Sequence, residues 1–349
     1  MGTRVDGVVP VGIAGLGRAG WSIHALTLEA MQDKYRVVAV CDPDQERQAE
    51  AHDRFGCRAY SEFDRMLKDD GIELLVVAVP THLHTDYSIE AMKAGKHVLL
   101  EKPMAAGLGD VDRMIEAANE TGQLLTVNQN YRNRPDFLKV REVIESGKLG
   151  RIILIRIAWH GFYRRWDWQT LKELGGGQLN NYGAHVVDWA LLLLGDGEPE
   201  VFCHVERTPL YSGDAESHVK IILQPDNGPM IDIELTNACA YPQEEWLIMG
   251  TQGGLSGSRL KLRWKYLDPE LLPPRPVSRQ PTPDRSYNRE KLPWREENCD
   301  LSADPSWGYE KVYLDLYATL RRGEPLAITP QSIRRRVAIL EKCRELSRV

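Results

Sequence analysis

Short apolar runs alternate with amphipathic segments through the first half of the chain. Buried strands are predicted at 8–14, 37–41, 72–79, 97–100 and 124–127. Between them, apolar residues recur every three or four positions, which is typical of helices. This alternation predicts an α/β doubly wound parallel sheet, whose ligand lies beyond the carboxyl ends of the strands. Asp42, Thr81, Lys102 and Asn128 fall at those ends, where we expect them to face a ligand.

The second half follows a different pattern, in which apolar and polar residues alternate one by one. Alternation over 219–221, 231–236 and 259–266 predicts strands with one covered face. We therefore expect a C-terminal α/β domain with a largely antiparallel open sheet. Helices are predicted over 135–146, 309–321 and 332–346. At 349 residues the chain is long for one core, and the change of pattern divides it into domains at 1–130 and 131–349.

Two features of the second half favour a partner subunit. One face of the strand at 259–266 carries the basic residues Arg259, Lys261, Arg263 and Lys265. They would attract an acidic ligand or partner, although a charged edge or open face that resists aggregation is the simpler interpretation. The segment 267–306 carries eight prolines, and a connection of this length is usually a lid, an arm to another subunit, or mobile. Together these features predict a homo-oligomer, a dimer or a tetramer.

The composition is typical of a soluble globular protein, with 42% hydrophobic and 27% charged residues. A net charge of −6 provides no general attraction to nucleic acid or to an anionic membrane. The six cysteines are scattered without metal-ligand spacing, so we expect free thiols in a reducing compartment and no metal site. With no recognisable apolar leader or run of membrane-spanning length, the sequence predicts a cytoplasmic protein.

The first apolar run ends in a glycine-rich turn, Gly15-Leu16-Gly17-Arg18-Ala19-Gly20, which leads into a helical segment. The first glycine permits the sharp bend, the second lets a pyrophosphate approach the backbone, and the third lets the helix lie close to the strand. The phosphates then meet free N–H groups at the positive end of the helix.

The second apolar run ends in Asp42, which can accept hydrogen bonds from a ribose diol and repel a 2′-phosphate. Strand, glycine turn, helix and acid together predict a Rossmann domain that binds NAD(H) in preference to NADP(H). The alternative is that the motif is an ordinary glycine-rich turn, and that an acidic residue follows it by chance.

Lys102 is the first candidate for chemistry. It follows the run at 97–100 and so points into the ligand crevice, and Pro103 holds it in an extended conformation. Beside an oxidised nicotinamide its charged form is disfavoured, so its pKa falls towards a range suited to taking a hydroxyl proton. Because side chains alternate along a strand, we expect Glu101 to point elsewhere. A surface lysine at a strand end is the alternative.

Several segments resemble one enzyme family and come in the order seen there. They are Gly15–Gly20, Pro80-Thr81-His82-Leu83-His84, Ala94–Val98, Glu101-Lys102-Pro103 and Asn128-Gln129-Asn130-Tyr131-Arg132. In these the chain resembles the Gfo/Idh/MocA oxidoreductases, named for glucose-fructose oxidoreductase and inositol dehydrogenase. The resemblance implies that Lys102 is the catalytic lysine, in a Lys–Pro bond that is often cis. It also implies that the cofactor is lined by Pro80, His84, Glu101, Asn128 and Asn130.

A second motif occupies residues 175–188, where a glycine run leads into a helical segment. Asn181, His185 and Asp188 have the spacing of one helical face, although a lone helical histidine is more often structural. In the family the histidine and an earlier aspartate contact the substrate hydroxyls, so the resemblance implies that His185 is the partner of Lys102. The aspartate is replaced by Asn181, which cannot titrate and which we expect to position the substrate.

The segment Tyr163–Trp168 is dense in aromatic residues and arginines. Aromatic faces suit the C–H faces of sugar rings, and arginines suit hydroxyls or carboxylates, so Arg164 and Trp166 are predicted to bind substrate. A loop packed over the sheet is the alternative.

Together these features predict an NAD-dependent oxidoreductase that moves hydride between nicotinamide and a carbinol carbon of a sugar, cyclitol or related polyol. Lys102, His185 and Asn181 would be its catalytic residues. Two alternative functions are a glycoside-cleaving enzyme that retains its NAD and a non-catalytic NAD-sensing regulator. A regulator would not need Lys102, so its presence favours an enzyme, but the dehydrogenase and the glycosidase would share these residues.

Overall fold

Two sheets, one of six strands and one of eight, organise the part of the chain that the structure describes. The computed structural model describes residues 7–347 except 282–284, 288 and 305. Pro283 and Pro305 of the proline-rich segment, and the outermost residues of both predicted domains, therefore lie outside the described residues. None of the described helices is long and apolar enough to span a membrane.

The first sheet is parallel throughout. Its strands are β1 (Val9–Ala14), β2 (Tyr35–Cys41), β3 (Arg58–Tyr60), β4 (Leu74–Val77), β5 (His97–Leu100) and β6 (Leu125–Val127). The helices between them are α1 (Leu26–Ala30), α2 (Gln45–Phe55), α3 (Phe63–Leu67), α4 (His84–Lys93) and α5 (Leu108–Thr121). The strand order β3-β2-β1-β4-β5-β6 reverses between β1 and β4, which opens a crevice for a ligand. The predicted doubly wound sheet is confirmed.

The second sheet is antiparallel except for one parallel pair. Its strands are β7 (Ile152–His160), β8 (Glu200–Glu206), β9 (His218–Gln224), β10 (Met230–Thr236), β11 (Trp246–Gly250), β12 (Gly253–Gly257), β13 (Lys261–Tyr266) and β14 (Arg295–Asp300). Their order is β14-β13-β12-β11-β7-β10-β9-β8, with β7 and β10 parallel. The predicted, largely antiparallel sheet is confirmed.

One face of the second sheet is covered by helices. These are α6 (Pro135–Glu145), α7 (Gln178–Asn181), α8 (Gly183–Leu194) and, from the end of the chain, α10 (Pro330–Ser347). Trp189 of α8 is fully buried and stacks on Phe137 of α6 at 5.3 Å between ring centroids. Because α8 is apolar on almost every side, it can be enclosed between the sheet and α10.

Strand β14 lies inside the segment expected to be irregular. Its sequence, Arg-Glu-Glu-Asn-Cys-Asp, has little strand propensity. It pairs with β13 in a register that sets Lys261 opposite Asp300 and Lys265 opposite Glu296. Cross-strand charge pairing compensates for the weak propensity. The basic strand is therefore not an edge, because β14 occupies that position.

The last two helices return to the first sheet. Helix α9 (Tyr309–Arg322) and the start of α10 contribute Tyr313, Leu316 and Ile333 to the core around that sheet. Arg321 donates two hydrogen bonds to the Glu73 carboxylate, at 2.6 and 2.9 Å. The end of the chain thus contributes to the core around the first sheet, and the division at residue 130 stays a prediction.

Candidate active site

A cavity of about 550 Å³ lies at the carboxyl ends of the first-sheet strands, next to α7 and α8. The first half of the chain lines it with Arg18, Ile23, Glu101, Lys102, Asn130 and Tyr131. The second half lines it with Tyr163, Arg165, Gln169, Asn181, Tyr182, His185, Trp307 and Tyr309. The three predicted catalytic residues, Lys102, His185 and Asn181, are thus brought together.

The glycine turn has the geometry that a dinucleotide requires. Gly15 has a φ of +90°, which side chains rarely adopt, and a Cβ on Gly20 would lie 1.8 Å from the Gly15 carbonyl oxygen. A Cβ on Gly17 would instead enter open space, so bare backbone faces the crevice there. The turn therefore fits the pyrophosphate of a nicotinamide dinucleotide, which residues Gly15–Gly20 would hold at the start of the helix that follows.

Asp42 follows β2 and is buried beside this turn. Its Oδ2 accepts a hydrogen bond from the Leu16 N–H at 2.7 Å, and its Oδ1 accepts one from the Asp44 N–H at 3.0 Å. The carboxylate thus fastens the glycine turn to the end of β2. This bracing role adds to the predicted contact with the ribose and was not evident from the sequence.

Lys102 reaches from the end of β5 to Asn181. Its Nζ donates hydrogen bonds to Asn181 Oδ1 at 3.1 Å and to the Asn181 carbonyl oxygen at 3.2 Å. The bond between Lys102 and Pro103 is cis. Burial, aided by the charges of nearby arginines and opposed by Glu101, lowers the pKa of Lys102 to about 8. The protein itself therefore lowers this pKa, whereas the sequence argument relied on the charge of the nicotinamide.

Glu101 contacts the π-helical turn Gly20–Ala25, which precedes α1. Its Oε1 lies 2.9 Å from His24 Nε2 and accepts a hydrogen bond from Asn128 Nδ2 at 2.6 Å. Its Oε2 accepts a hydrogen bond from the Lys102 N–H at 3.0 Å. Burial would raise the pKa of Glu101, but the bonds from His24 and Asn128 outweigh it and lower the pKa to about 2. Glu101 is thus a fixed anion that holds the backbone of Lys102.

Asn181 and His185 lie on two helices and not on one. Asn181 ends α7, α8 begins at Gly183, and Tyr182 separates them. The continuous helical face predicted for Asn181, His185 and Asp188 is therefore wrong. Asp188 instead accepts two hydrogen bonds from Arg132, at 2.6 and 2.8 Å.

The ring of His185 is held by stacking. It lies on Tyr131 with ring centroids 3.7 Å apart and planes 16° from parallel. Burial lowers the pKa of His185 well below its usual range, and the positive charges of Lys102, Arg336 and Arg134 act in the same direction. The imidazole is therefore neutral at physiological pH.

The other predicted cofactor residues follow the same sheet edge. Pro80 and Thr81 lie three and four residues beyond the end of β4, and Asn130 donates a hydrogen bond to the Trp307 carbonyl at 2.6 Å. His84 is buried below the cavity, its Nδ1 2.8 Å from the Pro103 carbonyl oxygen and its Nε2 3.0 Å from that of Val79. His84 therefore supports the Lys–Pro loop and does not line the cavity.

The predicted substrate residues Arg164 and Trp166 are not among the described residues that line the cavity. Trp166 is 77% exposed and Arg164 is exposed as well, whereas Tyr163 and Arg165 line the cavity. Isolated bridges pair Phe162 with Ala238 and Arg165 with Tyr211, and these anchor the segment beside the cavity. Their binding of substrate stays a prediction, and Arg165 is the arginine of this segment that lines the cavity.

The sequence analysis did not identify Trp307 and Tyr309 as cavity residues, because they follow the proline-rich segment 267–306. Trp307 stacks on Tyr131 with ring centroids 5.4 Å apart. Gly308, between Trp307 and Tyr309 in the sequence, has a φ of +75°. A Cβ on Gly308 would lie 2.5 Å from the Asn130 carbonyl oxygen. An aromatic-Gly-aromatic triplet just before a helix was the available signal.

Comparison with protein families assigns the two halves of the chain separately. Residues 9–129 match a model described as an oxidoreductase family with an NAD-binding Rossmann fold. Residues 137–256 match the GFO/IDH/MocA C-terminal domain. Together the two matches cover more than half of the chain.

Individual relatives are distant. An uncharacterised oxidoreductase of Schizosaccharomyces pombe is 30% identical over 54% of this chain, a match that spans only 52% of that relative's length. Myo-inositol 2-dehydrogenase of Thermotoga maritima is 27% identical over 72% of this chain and 75% of its own. The fold is shared with the WlbA dehydrogenase of Bordetella pertussis, solved with NADH and UDP-GlcNAcA, with a TM-score of 0.80, 24% identity, and coverage of 99% and 96% of the two chains. The chain therefore belongs to the Gfo/Idh/MocA family of NAD-binding oxidoreductases.

Proposed function

We propose that the protein is an NAD-dependent dehydrogenase that transfers hydride between nicotinamide and a carbinol carbon of a sugar, cyclitol or related polyol. The observation that carries this proposal is the placement of Lys102. It has a pKa lowered to about 8 and lines a cavity together with the end of the glycine turn, Asn181 and His185. Near neutral pH a fraction of such a lysine is unprotonated and can take a hydroxyl proton.

Each catalytic residue has a separate role in this proposal. A nicotinamide dinucleotide held by the glycine turn Gly15–Gly20 would supply the hydride chemistry. Lys102 Nζ takes the proton of the substrate hydroxyl during oxidation and returns it during reduction. Asn181 Oδ1 orients the Nζ of Lys102. The amide N–H groups of Asn181 then remain for an acceptor on the substrate. His185 hydrogen-bonds the reacting oxygen from the other side.

The charges near Asp42 support NAD(H) as the cofactor. An arginine at this position can accommodate a 2′-phosphate, and Arg47 lies 3.7 Å from Asp42 Oδ2. Arg47 is also 3.4 Å from Asp44, however, so two carboxylates face one guanidinium. The net negative charge disfavours a 2′-phosphate.

The polar lining of the cavity supports a polyhydroxylated substrate. Tyr163, Tyr182 and Tyr309 can offer hydroxyl groups, and Asn130 and Gln169 carry amides. The Thermotoga maritima relative is named for a cyclitol, myo-inositol, which is likewise polyhydroxylated.

A polyol screen tests the proposed function. Sugars, cyclitols, and their acids would be mixed with NAD⁺ and followed by NADH absorbance, with Lys102→Met as the matched inactive control. A substrate that produces NADH with the wild type and not with the control supports the proposal. Sugar release from a glycoside without net NADH would instead identify the NAD-retaining glycosidase.

We also propose a homo-oligomer built on the uncovered face of the second sheet. The register places Met230 and Met249 in one row across that face, with Phe202 in the neighbouring row. These three side chains are 36%, 44% and 58% exposed, and an apolar patch of this kind commonly binds a partner. Sedimentation at micromolar concentration tests the proposal, and a monomer would contradict it.

A further inference from the structure

Arg336 of α10 is a buried cation behind the active-site cavity. It is completely buried, and its Nη1 donates hydrogen bonds to Gln129 Oε1 at 2.6 Å and to the Ala184 carbonyl oxygen at 3.0 Å. Its Nε and Nη2 have no hydrogen-bond partner among the described residues. A buried guanidinium with unpartnered donors costs stability, so its presence favours a role in the site.

Arg336 fixes the direction of the Gln129 amide. A guanidinium has donors only, so the Gln129 atom that faces it must be the oxygen. The NH₂ group of Gln129 must therefore lie on the other side. There it donates a hydrogen bond to the Ala184 carbonyl oxygen at 2.9 Å and lies 3.4 Å from His185 Nδ1.

The amide in turn fixes the proton of His185. Because Gln129 presents an N–H towards Nδ1, this nitrogen must accept and cannot carry a proton. A neutral imidazole then carries its proton on Nε2. Stacking on Tyr131 holds the ring in this orientation, and Nε2 has no hydrogen-bond partner in the described chain.

We propose that Arg336 and Gln129 are positioning residues that hold His185 in its neutral Nε2–H tautomer. In this form His185 donates a hydrogen bond to the reacting oxygen of the substrate, and Lys102 remains the base. The identity of that oxygen rests on the proposed dehydrogenase function, whereas the tautomer does not.

The charged groups around His185 act in the same direction. Lys102, Arg336 and Arg134 are the charges that influence its titration, and all three are positive. They oppose the formation of an imidazolium, which would also bring an Nδ1–H against the Gln129 N–H. The carboxylate of Asp188, on the next turn of α8, is bound by Arg132.

The decisive experiment is NMR of the cofactor-free protein labelled with ¹⁵N-histidine. His185 is assigned by its absence from the spectrum of His185→Gln. In the wild type we expect a neutral Nε2–H signal that does not change over the pH range in which a free imidazole titrates. A wild-type signal of the Nδ1–H tautomer, or an ordinary titration, would overturn the proposal.

Variants at the two positions separate positioning from structural support. Gln129→Glu can only accept, so we expect His185 to become the Nδ1–H tautomer or the imidazolium. Arg336→Met removes the donor that orients the amide, so the tautomers should mix, and Arg336→Lys should restore the wild-type signal. An unchanged signal in Gln129→Glu would refute the relay even if Arg336→Met does not fold.

Kinetics distinguish this proposal from the proposed function. With a substrate from the polyol screen, Gln129→Glu should lower kcat more than it raises KM and add a second ionisation to the pH profile. If no polyol reacts while the NMR result holds, the relay stands and the proposed reaction fails. If the NMR result fails while a polyol is oxidised, the proposed reaction stands and the relay through Arg336 and Gln129 fails.

Discussion

Replacing Lys102 by methionine should make the protein more stable and much less active. The pKa of Lys102 falls from 10.5 to about 8 because burial disfavours its charged form. At neutral pH the folded protein nevertheless carries this lysine mostly protonated, so the burial of its charge destabilises the native state. Methionine has a similar length and no charge to bury.

The expected gain follows from the pKa difference between the unfolded and folded states. At about 1.4 kcal/mol per pKa unit, the shift sets an upper limit of about 3.5 kcal/mol. Partial exposure of Lys102 reduces this value, and Asn181 loses the donor at 3.1 Å from its Oδ1, which costs about 1 kcal/mol. The net stabilisation should therefore be about 1–2 kcal/mol.

The pH dependence identifies the cause. The folded pKa lies below the unfolded one, so the destabilisation is complete below about pH 8 and disappears as the pH rises to about 10.5. Thermal unfolding of wild type, Lys102→Met and the exposed-site control Lys342→Met should show a raised Tm for Lys102→Met alone. The difference should shrink on going from pH 7 to pH 10.

Two results would refute this reasoning. If Lys102→Met is no more stable than the wild type at pH 7, the lysine is not destabilised by burial. If its advantage persists at high pH, the gain comes from packing and not from the lost charge. With an identified substrate, the same variant should lose roughly 10²–10⁴ in turnover, and full activity would exclude Lys102 as the base.

Three further predictions concern the cofactor and the base. Asp42→Ala should weaken NADH binding and relax the exclusion of NADPH in fluorescence titrations, and a wild type that prefers NADPH would contradict this. Gly17→Ala should keep the wild-type Tm and bind NADH less tightly. Gly20→Ala should lower the Tm, because its Cβ meets the backbone of the turn. Equal Tm values for the two variants would contradict this. Asn181→Asp places a carboxylate near Lys102 Nζ, so the pKa of Lys102 should rise and the pH profile of oxidation should move to higher pH. A profile that is unchanged or moves to lower pH would be evidence against Lys102 as the titrating group.

The strand ends of the first half could be predicted because the sequence signals there are local. The glycine turn, Asp42 and Lys102 each follow an apolar run, and position at a strand end decides where a side chain points. The segment containing Arg164 and Arg165 lacks such a reference. Its aromatic and arginine content could be recognised, but which of its side chains line the cavity depends on contacts such as the bridge between Arg165 and Tyr211.

Other features depend on contacts between distant parts of the chain. Trp307 enters the cavity because Gly308 packs on the backbone at Asn130, a contact with a distant part of the chain that the aromatic-Gly-aromatic triplet alone does not specify. Strand β14 forms because its acids meet the basic residues of β13. The role of Arg336 is visible only when Gln129 and His185 are seen side by side, although Gln129 stands within a motif that the sequence revealed.

The return of α9 and α10 to the first sheet has a consequence for biosynthesis. The nascent N-terminal half leaves the ribosome long before Tyr313, Leu316 and Ile333 are translated, so its core is incomplete during most of synthesis. Apolar surface that these residues later cover stays open to chaperones, and the order of folding differs from the order of translation. A fragment of residues 1–130 should accordingly bind a hydrophobic dye, and adding a peptide of residues 309–347 should reduce that binding. A fragment that binds no dye would show that the first sheet closes its core alone.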